Sequence, residues 1–158
     1  MKSMKAGQYP VVVALLAAVT LISGCLCTDI NSCAGSGELT DFSLKNGTSM
    51  PVFSPDLREG ADAMFYVISD HPLNMLVMDR DNFTKYYAAE HGAPANWSAC
   101  AIAINVTDGG LHFLAPQNGS YVFVLDNTRL VEGSDAGLAT ATFTARYSYS
   151  WSRFPFNL

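Results

Sequence analysis

Between residues 139 and 151 apolar and polar positions alternate without a break. Ala139, Ala141, Phe143, Ala145, Tyr147, Tyr149 and Trp151 take the odd places, and Thr140, Thr142, Thr144, Arg146, Ser148 and Ser150 the even ones. A period of two puts one set in a core and the other in water, and Thr and aromatic residues favour a pleated backbone. The pattern predicts a long antiparallel strand with one wet side. Residues 151–156 extend it along an edge until Pro155 stops it.

Shorter runs follow the same logic. Residues 63–69 carry Met64, Tyr66 and Ile68 on one side, and 73–78 follow a turn at Asp70-His71-Pro72. Residues 99–106 place Cys100, Ile102, Ile104 and Val106 on one face with small alanines between. Residues 111–115 follow a turn at Asp108-Gly109-Gly110, and 120–126 follow Asn118-Gly119; 39–44 and 51–53 are weaker candidates. One helix is predicted over 82–90, capped by Asp81 or Asn82, with Phe83, Tyr86 and Tyr87 on one face and Gly92 at its end. Closely spaced strands with tight turns predict an all-β chain: an antiparallel β-sandwich with at most one short helix, plugging one end.

The first 24 residues have another pattern. Lys2 and Lys5 precede an apolar run, 11–22, broken only by Thr20, and small residues then lead to Cys25. That is the layout of an export signal helix. Twelve residues make roughly 18 Å of helix, short of the roughly 30 Å hydrocarbon core. The uncharged span 6–28 nearly reaches across, so a retained membrane helix and plain secretion stand as alternatives to lipidation. All three put the globular part outside. Ile22-Ser23-Gly24-Cys25 resembles the lipobox of prokaryotic lipoproteins. The resemblance implies cleavage before Cys25, lipid on its thiol, and anchorage at the outer face of the cytoplasmic membrane or the cell surface. The organisation expected is a signal over 1–24, a flexible Gly/Ser tether over 25–37 and a β-sandwich over 38–158.

Without the signal, 134 of the 158 residues remain, one domain with a single core. The formal charge of −5 becomes −7, because the signal holds two lysines and no acid. An acidic chain without a basic cluster is repelled by phosphate backbones, which excludes nucleic acid as a partner. The acids are scattered singly and serve solubility.

Four cysteines occur. With Cys25 lipidated, three remain, an odd number in an oxidising compartment. Cys27 and Cys33 are close enough to close a small loop, leaving Cys100 a buried free thiol; a bridge from Cys100 to Cys27 or Cys33 is the alternative. Nine Asn and 24 Ser plus Thr give roughly 1.4 Asn-x-Ser/Thr triplets by chance, and five occur. Asn46, Asn82, Asn96, Asn105 and Asn118 are therefore glycosylation candidates. Beside a lipobox they suggest an archaeal surface.

Catalytic and metal patterns are missing. His71, His91 and His112 share no ligand spacing. Asp79, Asp81 and Glu90 match positions 1, 3 and 12 of a calcium loop, but Phe83 and Thr84 occupy places that need an oxygen ligand and a glycine. No nucleophile elbow or phosphate-cradling loop occurs. The chain is expected to be no enzyme and to hold no metal or cofactor. Most of Tyr86, Tyr87, Tyr147, Tyr149 and Trp151 have core parity; Trp97, in the loop Gly92-Ala93-Pro94-Ala95-Asn96-Trp97, where nothing around it demands burial, is the ligand-binding candidate.

Gly119, Tyr121 and Asn127, within Pro116-Gln117-Asn118-Gly119-Ser120-Tyr121-Val122-Phe123-Val124-Leu125-Asp126-Asn127, are similar to the G-x-Y-x-x-x-x-x-N stretch of GOLD-type β-sandwiches. These are the luminal modules of eukaryotic secretory cargo receptors. The likeness covers roughly residues 62–150 and implies the fold and a non-catalytic binding habit. It departs where cargo receptors continue into a membrane helix and tail, since this sequence stops at Leu158. The function expected is a lipid-anchored extracytoplasmic sandwich that binds a partner or contributes to the envelope. The alternative is a surface module that recognises a carbohydrate or solute.

Overall fold

The computed structural model of the chain describes residues 26–29 and 32–152, with 26–29 and 32 as backbone only. Eight strands and one helix follow in the order β1 Leu26–Asp29, β2 Ser32–Leu44, β3 Thr48–Phe53, β4 Asp56–Leu57, β5 Asp62–Asp79, α1 Arg80–Glu90, β6 Ala101–Leu114, β7 Gly119–Asn127 and β8 Ala141–Ser152. All pairings are antiparallel. The sheet runs β1-β2-β8-β5-β7-β3, with β4 on β7 and β6 along β5.

The 18-residue β5 organises this all-β fold. Its first half pairs with β8 and its second half with β7, while β6 accompanies it along the other edge. The strands expected at 63–69 and 73–78 are thus one bent strand. The register breaks between Ile68 and Leu73, around Pro72, which has no N–H to give a ladder. Sharing β5 lets one sheet fold over on itself, a sandwich closed nearly into a barrel. Phe65, Val67, Leu73, Met75, Val77, Phe123, Leu125 and Phe143 fill the inside.

β8 has the parity its alternation predicts: Ala141, Phe143 and Ala145 are buried, and Thr142 and Arg146 are exposed. β6 corrects two expectations. Asp108-Gly109-Gly110 is not a turn but part of the ladder, opposite Ile68, Val67 and Tyr66. Ile102 and Ile104 face outward, 48% and 44% exposed, while Ala101 and Ala103 meet the core. Ala103 lies opposite Met75 and Ala101 opposite Val77, so large side chains of β5 already fill that space. Asn105, at φ 57°, then inserts a left-handed residue, and Val106 turns back to the core.

The expected tether is also corrected. Most of 25–37 is strand, in β1 and the start of β2, and Gly35 and Gly37 lie opposite Tyr149 and Tyr147. A Cβ on Gly37 would stand 2.5 Å from Cε1 of Tyr147, and one on Gly35 2.5 Å from Cε1 of Tyr149. The tyrosine rings cover the space left by the missing side chains, so the glycines are pairing sites for aromatics. Gly37→Val is expected to cost about 1–3 kcal/mol, because the Tyr147 ring is held by Phe53 at 4.2 Å between centroids. Much of that loss should vanish when Tyr147 is alanine, as a urea double-mutant cycle would show. Additive losses would mean that the ring does not occupy the glycine.

Helix α1 does not plug an end. It lies on the outer face of β5 and β7, over Leu76, Met78, Val122 and Val124, with Tyr86 fully buried between.

Candidate functional site

The outer face around β5 has a half covered by α1, on β5 and β7, and an open half, on β5 and β6. Over the covered half, Asp79 caps α1: its carboxylate accepts from the Asn82 N–H at 2.7 Å and the Asn82 amide at 2.8 Å. The cap thus lies two residues before Asp81 and three before Asn82, the two expected. Asn82 engages both oxygens of Asp79, so this carboxylate serves as a helix cap. Hydrogen bonds from Asn82 hold the Asp79 carboxyl below the usual carboxylate range. Such a depressed group stabilises the fold above its unfolded pKa, and the contribution is lost as pH falls through the folded value. Asp79→Ala should therefore cost about 1 kcal/mol near neutrality, and the gap from wild type should close in acid. Melts at several pH values would check it; a gap that persists below the folded pKa would assign the loss to packing.

The loop after α1 returns over the helix. Asn82 Oδ1 accepts from Ser98 N–H and Oγ, and Trp97 packs edge-on against Tyr86 at 5.0 Å between centroids. Trp97 is half-buried in the cluster with Leu76 and Val124. The expectation that nothing around Trp97 demands burial is corrected, since its ring covers the Tyr86 edge.

Beneath this cover lies a polar knot that the sequence reading missed. Asp126, fully buried, accepts from Tyr86 Oη at 2.7 Å, Asn74 Nδ2 at 2.7 Å and Thr128 N–H at 2.9 Å. Burial, with the Asp126 contact next, pushes the Tyr86 phenol far above its ordinary value, so it stays a donor. Asn74 Oδ1 accepts from Ser134 Oγ at 2.8 Å, and Asn127 binds Leu44 O, Ala139 O and Gly137 N–H. These bonds fasten the loop between β7 and β8 to the sheet. The only early sign was a lone Asn inside an apolar run, Leu73-Asn74-Met75. Tyr121 is structural as well, as Asn127 is: it lies in the core and its hydroxyl donates to Gln117 O at 2.9 Å.

The open half presents Met64 at 42%, Ile68 at 48% and Leu114 at 59% exposure. Among them sit Asp62 hydrogen-bonded to His112 at 2.7 Å, and Tyr66, whose hydroxyl donates to Asp108 and is shifted upward chiefly by that bond. Asp70 contacts His71 at 3.2 Å and accepts the Thr142 N–H, which lowers its carboxyl pKa. A shallow groove of about 860 Å3 borders this face, between the Glu38–Arg146 ion pair and Met64 and Tyr66. His91 is remote, against Tyr87 on α1. Among the described residues no three His, Cys, Asp or Glu side chains form a metal-holding group.

Cys33 is disulfide-bonded. Cys100 is free and exposed, which corrects the expected buried thiol and removes the bridge from Cys100 to the chain start. It lies just before β6, where partial desolvation, with the Asp79 charge, still pushes the thiol up. Cys25 and the expected export signal lie outside the described residues, as does the side chain of Cys27. Of the five sequons, Asn46, Asn96 and Asn118 are exposed. Asn82 and Asn105 are half-buried, and their amide nitrogens donate to Asp79 and to Gly133 O.

No protein-family model matches the chain, and no curated protein matches it in sequence. Several solved structures are similar, two of them as follows. One is PliG of Aeromonas hydrophila, a periplasmic inhibitor of g-type lysozyme: 13% identical, covering 79% of this chain and 90% of that one, with a TM-score of 0.42. The other comes from Bacillus endospore appendages, described as a novel family of disulfide-linked pili: 10% identical, covering 84% and 98%, with a TM-score of 0.44. At these identities the likeness concerns the arrangement of strands alone.

Proposed function

We propose that this is a lipid-anchored extracytoplasmic β-domain that binds a protein partner and performs no chemistry of its own. The observation that carries the location is the disulfide at Cys33, eight residues after the lipobox cysteine, since such bonds persist in oxidising compartments. The apolar run and Ile22-Ser23-Gly24-Cys25 supply the route and the anchor. Strand β2 starts at Ser32, so the domain stands close to the membrane on a short link. The partner-binding reading is supported by the open β5–β6 face, where large apolar side chains remain in water. The carbohydrate alternative rested on Trp97, whose ring is engaged with Tyr86.

The same reading keeps the domain among GOLD-like sandwiches, supported by the structural work of Tyr121 and Asn127 toward the two ends of β7. It also makes Asn46, Asn96 and Asn118 the sequons open to glycan, because the amides of Asn82 and Asn105 are committed within the fold. Cys25→Ser tests the anchor. Wild type should enter the detergent phase on partitioning and the variant should stay as uncleaved precursor or become aqueous. A variant matured and anchored like wild type would refute it.

A further inference from the structure

The unpaired edge of β6 is the feature that the fold leaves unexplained. β6 is 14 residues long and pairs with β5 along one side; among the described residues no strand pairs its other side. Only around Asn105 is the edge attended, by hydrogen bonds to Gly133 O and from Asp135 N–H. An open edge is a row of N–H and C=O groups that templates another strand, and proteins usually blunt it with Lys or Pro. Ala101–Leu114 contains no Lys, Arg or Pro. Beside the edge, Ile102, Ile104 and Leu114 are exposed at 48%, 44% and 59%.

Charge decides what fits there. β5 and β6 together carry Asp62, Asp70, Asp79 and Asp108, and neither has a Lys or Arg. Arg146, on the adjoining face of β8, is paired with Glu38 at 2.9 Å. A second copy would bring the same acidic strand pair against itself, and like charges across a strand pair are destabilising. Complementary charge guides association and disfavours wrong partners.

We propose that the free edge of β6, with the acidic and apolar face beside it, docks an extended, Lys- or Arg-bearing segment of a partner protein as an added strand. The backbone ladder supplies affinity. Successive side chains of the added strand point to opposite faces, so its basic ones share the outer face with Asp62 and Asp108, their aliphatic stems over Ile104 and Leu114, and its apolar ones continue the inner face of β6. This rests on the partner-binding reading above.

The test uses the full chain in detergent micelles and a labelled peptide of about 10 alternating Lys and Val residues, with a Glu–Val peptide as its counterpart. Fluorescence anisotropy should show the Lys–Val peptide binding at least about ten-fold more tightly, with affinity falling as salt rises. Ile104→Lys with Leu114→Lys should lower that affinity at least about ten-fold while circular dichroism and the melt stay unchanged. Leu130→Lys with Leu138→Lys adds the same charge at exposed sites elsewhere and should leave binding as in wild type. Equal binding of the two peptides, or full binding by the Ile104/Leu114 variant, would overturn the proposal. So would concentration-dependent dimerisation of wild type that the same variant abolishes, since the occupant would then be a second copy. A chain that ignores the peptide yet cross-links to a protein partner in its own membrane would sink this site and leave the partner-binding reading standing.

Discussion

Asp126→Ala is expected to lose about 4 kcal/mol of unfolding free energy, a large share of what a domain of this size commonly has. The carboxyl is fully buried and serves three donors, Tyr86 Oη, Asn74 Nδ2 and Thr128 N–H. Alanine would remove the carboxylate acceptor of all three, and each buried donor orphaned costs about 1–3 kcal/mol. The effect should spread beyond the site, because Asn74 also holds Ser134 and the loop before β8. Tyr86→Phe removes one donor and its partner bond together and should cost only about 1 kcal/mol. Urea denaturation of the three proteins would show the ranking. An Asp126→Ala loss no larger than that of Tyr86→Phe would mean that water takes the carboxyl's place.

The second large effect lies in the core. Phe143→Ser should cost about 3 kcal/mol or more, against less than about 1 kcal/mol for Thr142→Ser. Phe143 is 2% exposed and stacks beside Phe42, with ring centroids 6.2 Å apart. Thr142 points to water, and its N–H, which Asp70 accepts, survives the change to serine. Equal losses would put the wrong face of β8 inside.

That face was readable from sequence because β8 runs without a bulge in its central pairing with β5, so period and burial stay in phase. β2 was weaker to the eye for the opposite reason. Asp41, at φ 58°, inserts a residue between Leu39 and Phe42, and the buried positions change from odd to even. Asn105 does the same in β6, which is why Ile102 and Val106 do not share a face. A single backbone residue in a left-handed conformation is invisible to periodicity, and each one shifts every position after it.

Composition misled differently. Gly and Ser at 35–37 read as a tether, yet the Gly-x-Gly spacing matches Tyr147-x-Tyr149 in the partner strand. That match needs the register between two distant segments, which one strand's sequence does not contain. The Asp126 knot was hidden for a similar reason: its members, Asn74, Tyr86, Asp126 and Ser134, come from three elements and a loop. The open β5–β6 face follows from sequence only once Ala101 and Ala103 are known to point inward.

Anchorage of the domain outside the cytoplasm is read most directly from the mass of the mature N-terminus. Protein recovered from its own membranes should begin at Cys25 and carry the added mass of lipid on that residue. A mature chain that begins well after Cys25, with no lipid mass, would contradict it.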